Sequence, residues 1–322
     1  FDVLIPIAVL ISAFLTVLAV IGIWEKDQPK YFGLGNTEPQ KVKISEYIGI
    51  LKENKPLCRL MVAGAGCKLA LAIATNGTVL CMLYGSMMGN YNGLYLPMMI
   101  AGYVFSAPFF VLTVRTSQKQ GQKASLMRYV ALALVMYVGV TALLLFWKPG
   151  EAGVNLSLTN INVYTILFIL FFGIGYGAYY ATADMPIPMV ADCSDYETYR
   201  SGKYIPGVMG TLFSLVDKLV SSLSSTVVGL AVASIGLSTL PGGDTPYTEG
   251  MKTIVLVLFC VIPMIAWALT LWAMKGYSLT GERMKEIQAV NAVRRDAIAK
   301  GMSMEEALKT WTTIDQVPEF LN

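Results

Sequence analysis

Apolar runs of about twenty residues recur from one end of this chain to the other. A helix needs about 20 predominantly apolar residues to cross a hydrocarbon core about 30 Å thick, so this one feature decides the solvent. Seven segments qualify: 1–24, 60–84, 93–114, 129–147, 161–190, 207–237 and 253–274. Nothing alternates with the two-residue period of a transmembrane barrel strand. Backbone in lipid must satisfy its own hydrogen bonds, so the segments are read as helices and the fold class as an all-α membrane protein. Composition agrees: 55% of the 322 residues are apolar and 14% are charged, against about 25% charged in an ordinary soluble domain. Disorder, a collagen-like chain and an ordinary soluble enzyme are excluded.

The chemistry-bearing residues narrow the field further. Histidine is absent, so no imidazole can bind a metal or relay a proton. Five cysteines, Cys58, Cys67, Cys81, Cys193 and Cys260, are widely spaced and suggest neither a disulfide framework nor a zinc site. There is no Gly-rich phosphate loop, no metal cluster and no nucleophile with a histidine base, so neither an enzyme nor a resident cofactor is expected. Nothing points to nucleic acid. The first residue, Phe1, already lies inside an apolar run that is too long for a signal peptide's core and has no basic start. The chain is read as a fragment whose N-terminal part is missing.

The connections carry an orientation. The first holds Lys26, Lys30, Lys41, Lys43, Lys52, Lys55 and Arg59, and the second holds no basic residue. The third holds Arg115, Lys119, Lys123 and Arg128; the fourth holds only Lys148; the fifth holds Arg200 and Lys203; the sixth holds none before Lys252. The tail holds Lys275, Arg283, Lys285, Arg294, Arg295, Lys300 and Lys309. By the positive-inside rule the first connection and the tail are cytoplasmic and Phe1 lies at the outer face of a cell membrane. Within the long first connection Ile44, Tyr47, Ile48 and Leu51 follow i, i+3, i+4, i+7 spacing, the mark of a short amphipathic helix at the cytoplasmic surface. In the tail Thr280 can cap one helix, and Ser303 with Glu306 makes a capping box for another; both read as solvated structure. The basic tail fits ordinary inside charge with contact to lipid.

A charge at the bilayer centre costs about 2.5–3.5 kcal/mol on insertion scales, so each one in a span asks for a reason. In the sixth span Lys218 lies about 16 Å along the helix from Gly207, near mid-membrane. Ser214, Lys218, Ser221 and Ser225 share one face, with Asp217 at its border, giving a hydroxyl-rich ribbon centred on the charge pair Asp217–Lys218. The ribbon suits a wet slot or, for its serines, helix–helix contact. Lys68 lies about 13 Å beyond Arg59 in the second span, among Ala63, Gly64, Ala65 and Gly66. It serves either a site or a structural pair with a neighbouring carboxylate. Asp184 precedes Pro186 and Pro188, which break the helical ladder and free carbonyls. That break fits a kink as well as a binding role.

Beyond those prolines runs Pro188-Met189-Val190-Ala191-Asp192-Cys193-Ser194-Asp195-Tyr196-Glu197, followed by Arg200-Ser201-Gly202-Lys203, Gly207, Phe213 and Lys218. This stretch resembles the signature region of the glycoside–pentoside–hexuronide:cation symporters, and Glu53-Asn54-Lys55-Pro56-Leu57 is a weaker match. The resemblance implies the major facilitator fold, with twelve helices in two six-helix bundles. Residues 1–24 would be helix six, 25–59 the central cytoplasmic loop with its amphipathic helix, 60–274 the C-terminal six-helix bundle and 275–322 the cytoplasmic helical tail. The partner would be the missing N-terminal bundle of the same protein, about five helices.

The resemblance also implies that Lys218, Phe213, Ser214 and Asp217 line the cavity between bundles. Asp192, Asp195, Tyr196 and Glu197, with Arg200 and Lys203, would form a cytoplasmic gate. The chain departs from the family at Tyr204 and Pro206, where Arg and Glu are frequent, at Asp217, where an apolar residue is common, and at Ala183, where a sugar platform is aromatic.

The function expected is secondary active transport, the cation-coupled symport of a sugar or glycoside by alternating access. Ser221, Lys68 and Asp184 join Lys218, Asp217, Ser214 and Phe213 as candidate substrate and cation contacts. Na+ or H+ is the coupling ion, and no other metal is called for. One rival keeps the fold but carries a lysolipid or organic anion. Another is a seven-helix receptor or rhodopsin-like protein, which lacks support because 253–274 holds no lysine for a Schiff base and no Asn-Pro-x-x-Tyr.

Overall fold

Asparagines open four helices of this chain. In the computed structural model, which describes residues 4–25, 27–28, 33–34 and 44–317, each of these four side-chain carbonyls accepts from a backbone N–H two or three residues on, satisfying a donor that the helix cannot. Asn54 caps α3 (Lys55–Ala74) through Leu57 at 3.1 Å, and Asn76 caps α4 (Gly77–Leu80) through Thr78 at 3.0 Å. Asn90 caps α5 (Tyr91–Gln120) through Gly93 at 2.9 Å, and Asn162 caps α7 (Val163–Tyr180) through Thr165 at 2.7 Å. The other long helices are α1 (Leu4–Ile23), α6 (Gln122–Phe146), α8 (Pro186–Ser201), α9 (Pro206–Ser234), α11 (Ile262–Lys275) and α12 (Gly281–Ala299). Short helices α2 (Ile44–Glu53), α10 (Met251–Val255) and α13 (Met304–Thr310) complete the series.

Among the described residues the elements are helical, and seven stretches are long and apolar enough to span a membrane: Ile5–Ile23, Lys55–Ala74, Tyr91–Gln120, Gln122–Phe146, Val163–Tyr180, Pro206–Ser234 and Met251–Lys275. This is the all-α, multi-pass membrane fold expected from the apolar runs. Two of the segments are more broken than their hydropathy foretold. The second continues past the Asn76 cap into a π-helical turn, Cys81–Met87, and the seventh carries a π-helical turn, Leu256–Val261, between α10 and α11. The fifth is interrupted at 181–185, just ahead of Pro186, which begins α8. There the Thr182 hydroxyl donates to the carbonyls of Ala178 (3.1 Å) and Tyr179 (3.0 Å), taking up groups that the break frees. Phe1, Lys26, Lys30, Lys41 and Lys43, which contribute to the orientation argument, lie outside the described residues.

The described chain falls into two compact units, the larger comprising Ile44–Cys193 and Pro206–Arg283. In it α3 packs along α11 and α9, α7 packs between α5 and α6, and α6 meets α11. Small residues permit the closest of these approaches. A Cβ on Gly66 would stand 2.5 Å from the Ala266 carbonyl oxygen of α11, so only glycine fits there. The middle of the unit is aromatic: the Tyr137 and Trp267 rings lie 4.8 Å apart and those of Tyr179 and Trp267 5.2 Å apart. Two lysines close helix ends. The Lys123 ammonium donates to the Tyr277 carbonyl (2.6 Å) beyond α11, and Lys252 donates to Leu145 and Trp147 carbonyls (2.8 Å each) at the end of α6. Among the described side chains of α2, Ile50 is buried and Tyr47 and Leu51 are half-buried, whereas Ile48 is exposed.

The smaller unit comprises the described parts of Phe1–Lys43, Ser194–Ile205 and Met284–Asn322. Side chains 5–25 are exposed on every face of α1, the condition of a helix whose whole surface is meant for lipid or other apolar helices. The tail corrects its expected reading as solvated structure. Met284, Ile287, Val290, Asn291, Val293 and Arg294 of α12 are buried, and Tyr199 and Trp311 pack on the cluster of Val290, Val293 and Val317. Met284, Ile287, Asn291 and Arg294 recur every three or four positions, a helical stripe that the capping signals alone did not reveal.

Candidate functional site

The sixth apolar run is α9, and its sides differ. Met209, Leu212, Ser224, Val228 and Val232 are buried, and the helix packs on α3. Leu215, Leu219, Leu223 and Leu230 are exposed, as on a lipid-facing side. Between these two sides runs the polar ribbon: Ser214, Lys218 and Ser225 are exposed, with Thr211 and Ser222 beside them, while Asp217 and Ser221 sit half-buried at the edge of the α3 contact. The Ser221 hydroxyl donates to the Asp217 carbonyl at 2.8 Å and that of Ser224 to the Ser221 carbonyl at 2.7 Å. Spending their protons on the helix leaves these hydroxyls mainly as acceptors.

The charge pair is not the one expected from adjacency. Asp217 Oδ1 lies 3.4 Å from Lys68 Nζ across the α3–α9 contact, with side chains 28% and 33% exposed. Successive helical residues point about 100° apart, so Asp217 and Lys218 cannot face each other. Asp217 turns to α3 and Lys218 to the exposed ribbon. One turn earlier Phe213 lies half-buried on α3, where a Cβ on Gly64 would come within 2.6 Å of its ring. The glycine admits the ring, and the ring sets the spacing that lets Lys68 reach Asp217. Asp184 is exposed in the 181–185 turn, within electrostatic reach of the buried Cys67 thiol beside Lys68. Lys68, Asp217, Phe213 and Asp184 thus gather around the middle of α3, while Lys218 and Ser214 occupy the next face.

The second cluster lies on the last turns of α8 in the smaller unit. Glu197 is buried, and its Oε1 accepts from Arg200 Nη2 at 2.7 Å and from the Ser201 hydroxyl at 2.9 Å. Asp195 and Tyr196 are half-buried, and Lys203 is exposed. Asp192 is half-buried one turn earlier, in the part of α8 that belongs to the larger unit. Burial pushes the Asp195 carboxyl above its usual range, against the Gln288 side chain and the Arg295 guanidinium, which draw it down.

The tail grips the Ser194–Ile205 stretch through a residue that belongs to no motif. Arg294, 2% exposed, donates to the carbonyls of Tyr199 (2.6 Å) and Trp311 (2.9 Å from Nε) and lies over the Tyr199 ring, 5.1 Å from its centroid. Asn291 donates to the Asp195 carbonyl at 3.0 Å, and the Tyr199 hydroxyl donates to the Thr312 carbonyl. Arg295 donates to the Gly33 carbonyl at 2.8 Å. In the sequence Arg294 reads as ordinary tail charge, and only its place on the buried stripe of α12 sets it apart.

Among the described residues no group of three or more His, Cys, Asp or Glu side chains could hold a metal ion. What the residues offer is a strip of hydroxyls and one ammonium on an apolar helix, beside an ion pair. Such a surface can bind and release a polar solute without reacting with it.

Sequence comparison agrees with that chemistry. The family described as MFS/sugar transport protein matches residues 3–281, and the chain belongs to that family. It is a multi-pass membrane transporter of the major facilitator type. An uncharacterized 29.9 kDa protein from the crtE 3' region of Pseudescherichia vulneris is 25% identical over 207 residues, 64% of this chain and 68% of that one. A putative glycoside/cation symporter, YagG of Escherichia coli strain K12, is 25% identical over 154 residues, 48% of this chain. The matched region spans 30% of that symporter's length.

Proposed function

We propose that the protein is a cation-coupled symporter of a sugar or glycoside, of the glycoside–pentoside–hexuronide type, and that α9 presents its ribbon to the solute. In this reading residues 60–274 are the C-terminal bundle, 1–24 is helix six, and an N-terminal bundle of the same protein faces the ribbon. Residues 25–59 and the tail lie on the cytoplasmic side.

The observation that carries the reading is the exposed Lys218 among serines, on a helix whose flanking leucines belong in lipid. An ammonium there is tolerated where water, substrate or a second bundle covers it. Sugar hydroxyls both donate and accept, and so match a strip of serine hydroxyls and one ammonium. The likeness to a putative glycoside/cation symporter supports the same solute class. Lys218, Ser214 and Ser221 are assigned to the solute. Asp217 with Lys68, and Asp184 nearby, are assigned to the Na+ or H+ coupling that favours the solute-holding state. Phe213 sets the α3–α9 spacing. Asp192, Asp195, Tyr196, Glu197, Arg200 and Lys203 are assigned to the cytoplasmic gate.

Proteoliposomes carrying the full-length protein test this directly. Glycosides, uronides and lysolipids are offered with and without imposed Na+ or proton gradients. Glycoside accumulation driven by one gradient is the expected result. Accumulation of lysolipid alone transfers the chain to the rival cargo, and uptake indifferent to both gradients rejects coupling.

A further inference from the structure

At one end of the larger unit, away from the α9 ribbon, the π-helical turn Cys81–Met87 meets the loop 242–246. A cavity of about 370 Å3 lies there, lined among others by Ser86, Asn90, Tyr91, Asn92, Asp244 and Thr245. Backbone holds the two walls together: a Cβ on Gly85 would fall 2.2 Å from the Gly243 carbonyl oxygen, so any side chain at 85 would force them apart. Ser86 is 8% exposed, and its hydroxyl is buried without a hydrogen-bond partner. An unmet buried hydroxyl is costly, and π-turns concentrate at functional sites.

The lining selects the ligand class. The volume lies within the range of about 300–1,000 Å3 typical of small-molecule pockets and far exceeds the roughly 30 Å3 share of a water. One carboxylate, Asp244, stands against no basic lining residue, which disfavours an anion. Carboxylate, carboxamide and hydroxyl groups together pair with a solute that carries several hydroxyls. Tyr91, stacked on Tyr95 with centroids 5.0 Å apart, supplies an apolar wall for ring C–H groups.

We infer that this cavity is an entry subsite for one pyranose unit, separate from the α9 ribbon. The inference deepens the sugar-carrier reading and rests on it for its place in transport; the pocket chemistry is tested independently. The full-length protein in nanodiscs is probed by saturation-transfer NMR with methyl glucopyranoside and methyl galactopyranoside. Lys218→Ala serves as background to remove the ribbon's contribution. In that background a pyranoside signal is expected to persist, and Asp244→Asn or Asn92→Ala to weaken it about tenfold, the equivalent of one hydrogen bond of about 1.4 kcal/mol. Both side chains are exposed, so neither substitution should move the melting temperature, which the loss of a structural contact would do. No pyranoside signal in the Lys218→Ala background, or a signal indifferent to both substitutions, overturns the subsite. A signal that depends on them in a protein that accumulates no glycoside keeps the subsite and rejects the symport reading.

Discussion

The protein holds positive charge in two opposite ways. In the tail Arg294 is withdrawn from solvent and spends its guanidinium on backbone carbonyls and the Tyr199 face. On α9 Lys218 is left exposed on a helix rich in leucine, valine and serine. A buried charge whose nitrogens are each hydrogen-bonded to backbone has finished its work in folding. An exposed charge within a membrane-spanning stretch is stable only with a partner from outside that surface. Burial with full satisfaction marks architecture, and exposure in an apolar setting marks a surface built to be met. The half-exposed Lys68–Asp217 pair stands between the two.

Substitutions that should leave one region intact while damaging the other break this contrast most sharply. Lys218→Ala is expected to abolish gradient-driven uptake, a loss of at least about a hundredfold if the ammonium stabilises bound solute and cation by about 3 kcal/mol. Expression and melting temperature should not change. Undiminished accumulation in vesicles would remove Lys218 from the mechanism. Arg294→Ala is expected to do the reverse. It strands the half-buried carbonyls of Tyr199 and Trp311, costs about 2–4 kcal/mol, and frees the tail to proteolysis while uptake in the intact fraction persists. Arg294→Lys should recover only part of this, since an ammonium cannot reproduce the guanidinium fork. A tail equally resistant to protease in the alanine variant would deny the clasp.

How legible these regions were follows from the kind of signal each leaves. Seven apolar runs gave the fold class because length and hydropathy are local properties, and Pro186 with Pro188 marked the break before α8 for the same reason. The ribbon was legible because Ser214, Lys218, Ser221 and Ser225 repeat with the helical period. What stayed hidden was relational. Lys68 reads as pairing with a neighbouring carboxylate, yet nothing in the sequence names Asp217, which stands next to Lys218. The π-helical turns Cys81–Met87 and Leu256–Val261 arise inside runs whose hydropathy gives no sign of them. Arg294 lay among other tail basic residues, and only its register with Met284, Ile287 and Asn291 set it apart.

The intermediate pair gives a finer test. Lys68→Met and Asp217→Asn, singly and together, should yield a coupling energy of about 1 kcal/mol in a thermal double-mutant cycle, because the pair is about one-third exposed. A coupling near that of the buried Arg294 contacts would place the seam with architecture rather than with the working surface.

The smallest effect expected is a pH response of the smaller unit. Burial raises the Asp195 carboxyl above its ordinary value, so the folded form binds this proton more tightly than the unfolded form, whose carboxyl titrates at about 4. Stability therefore rises as pH falls through the raised value, is complete below the unfolded value, and is absent above both. Protease resistance of the Ser194–Ile205 stretch and the tail should increase on mild acidification across that window, and Asp195→Asn should flatten the response. A resistance that falls across the same window, or one unchanged by the substitution, would mean that Gln288 and Arg295 outweigh the desolvation of the carboxylate. The smaller unit would then hold a satisfied charge at Asp195, as it does at Arg294.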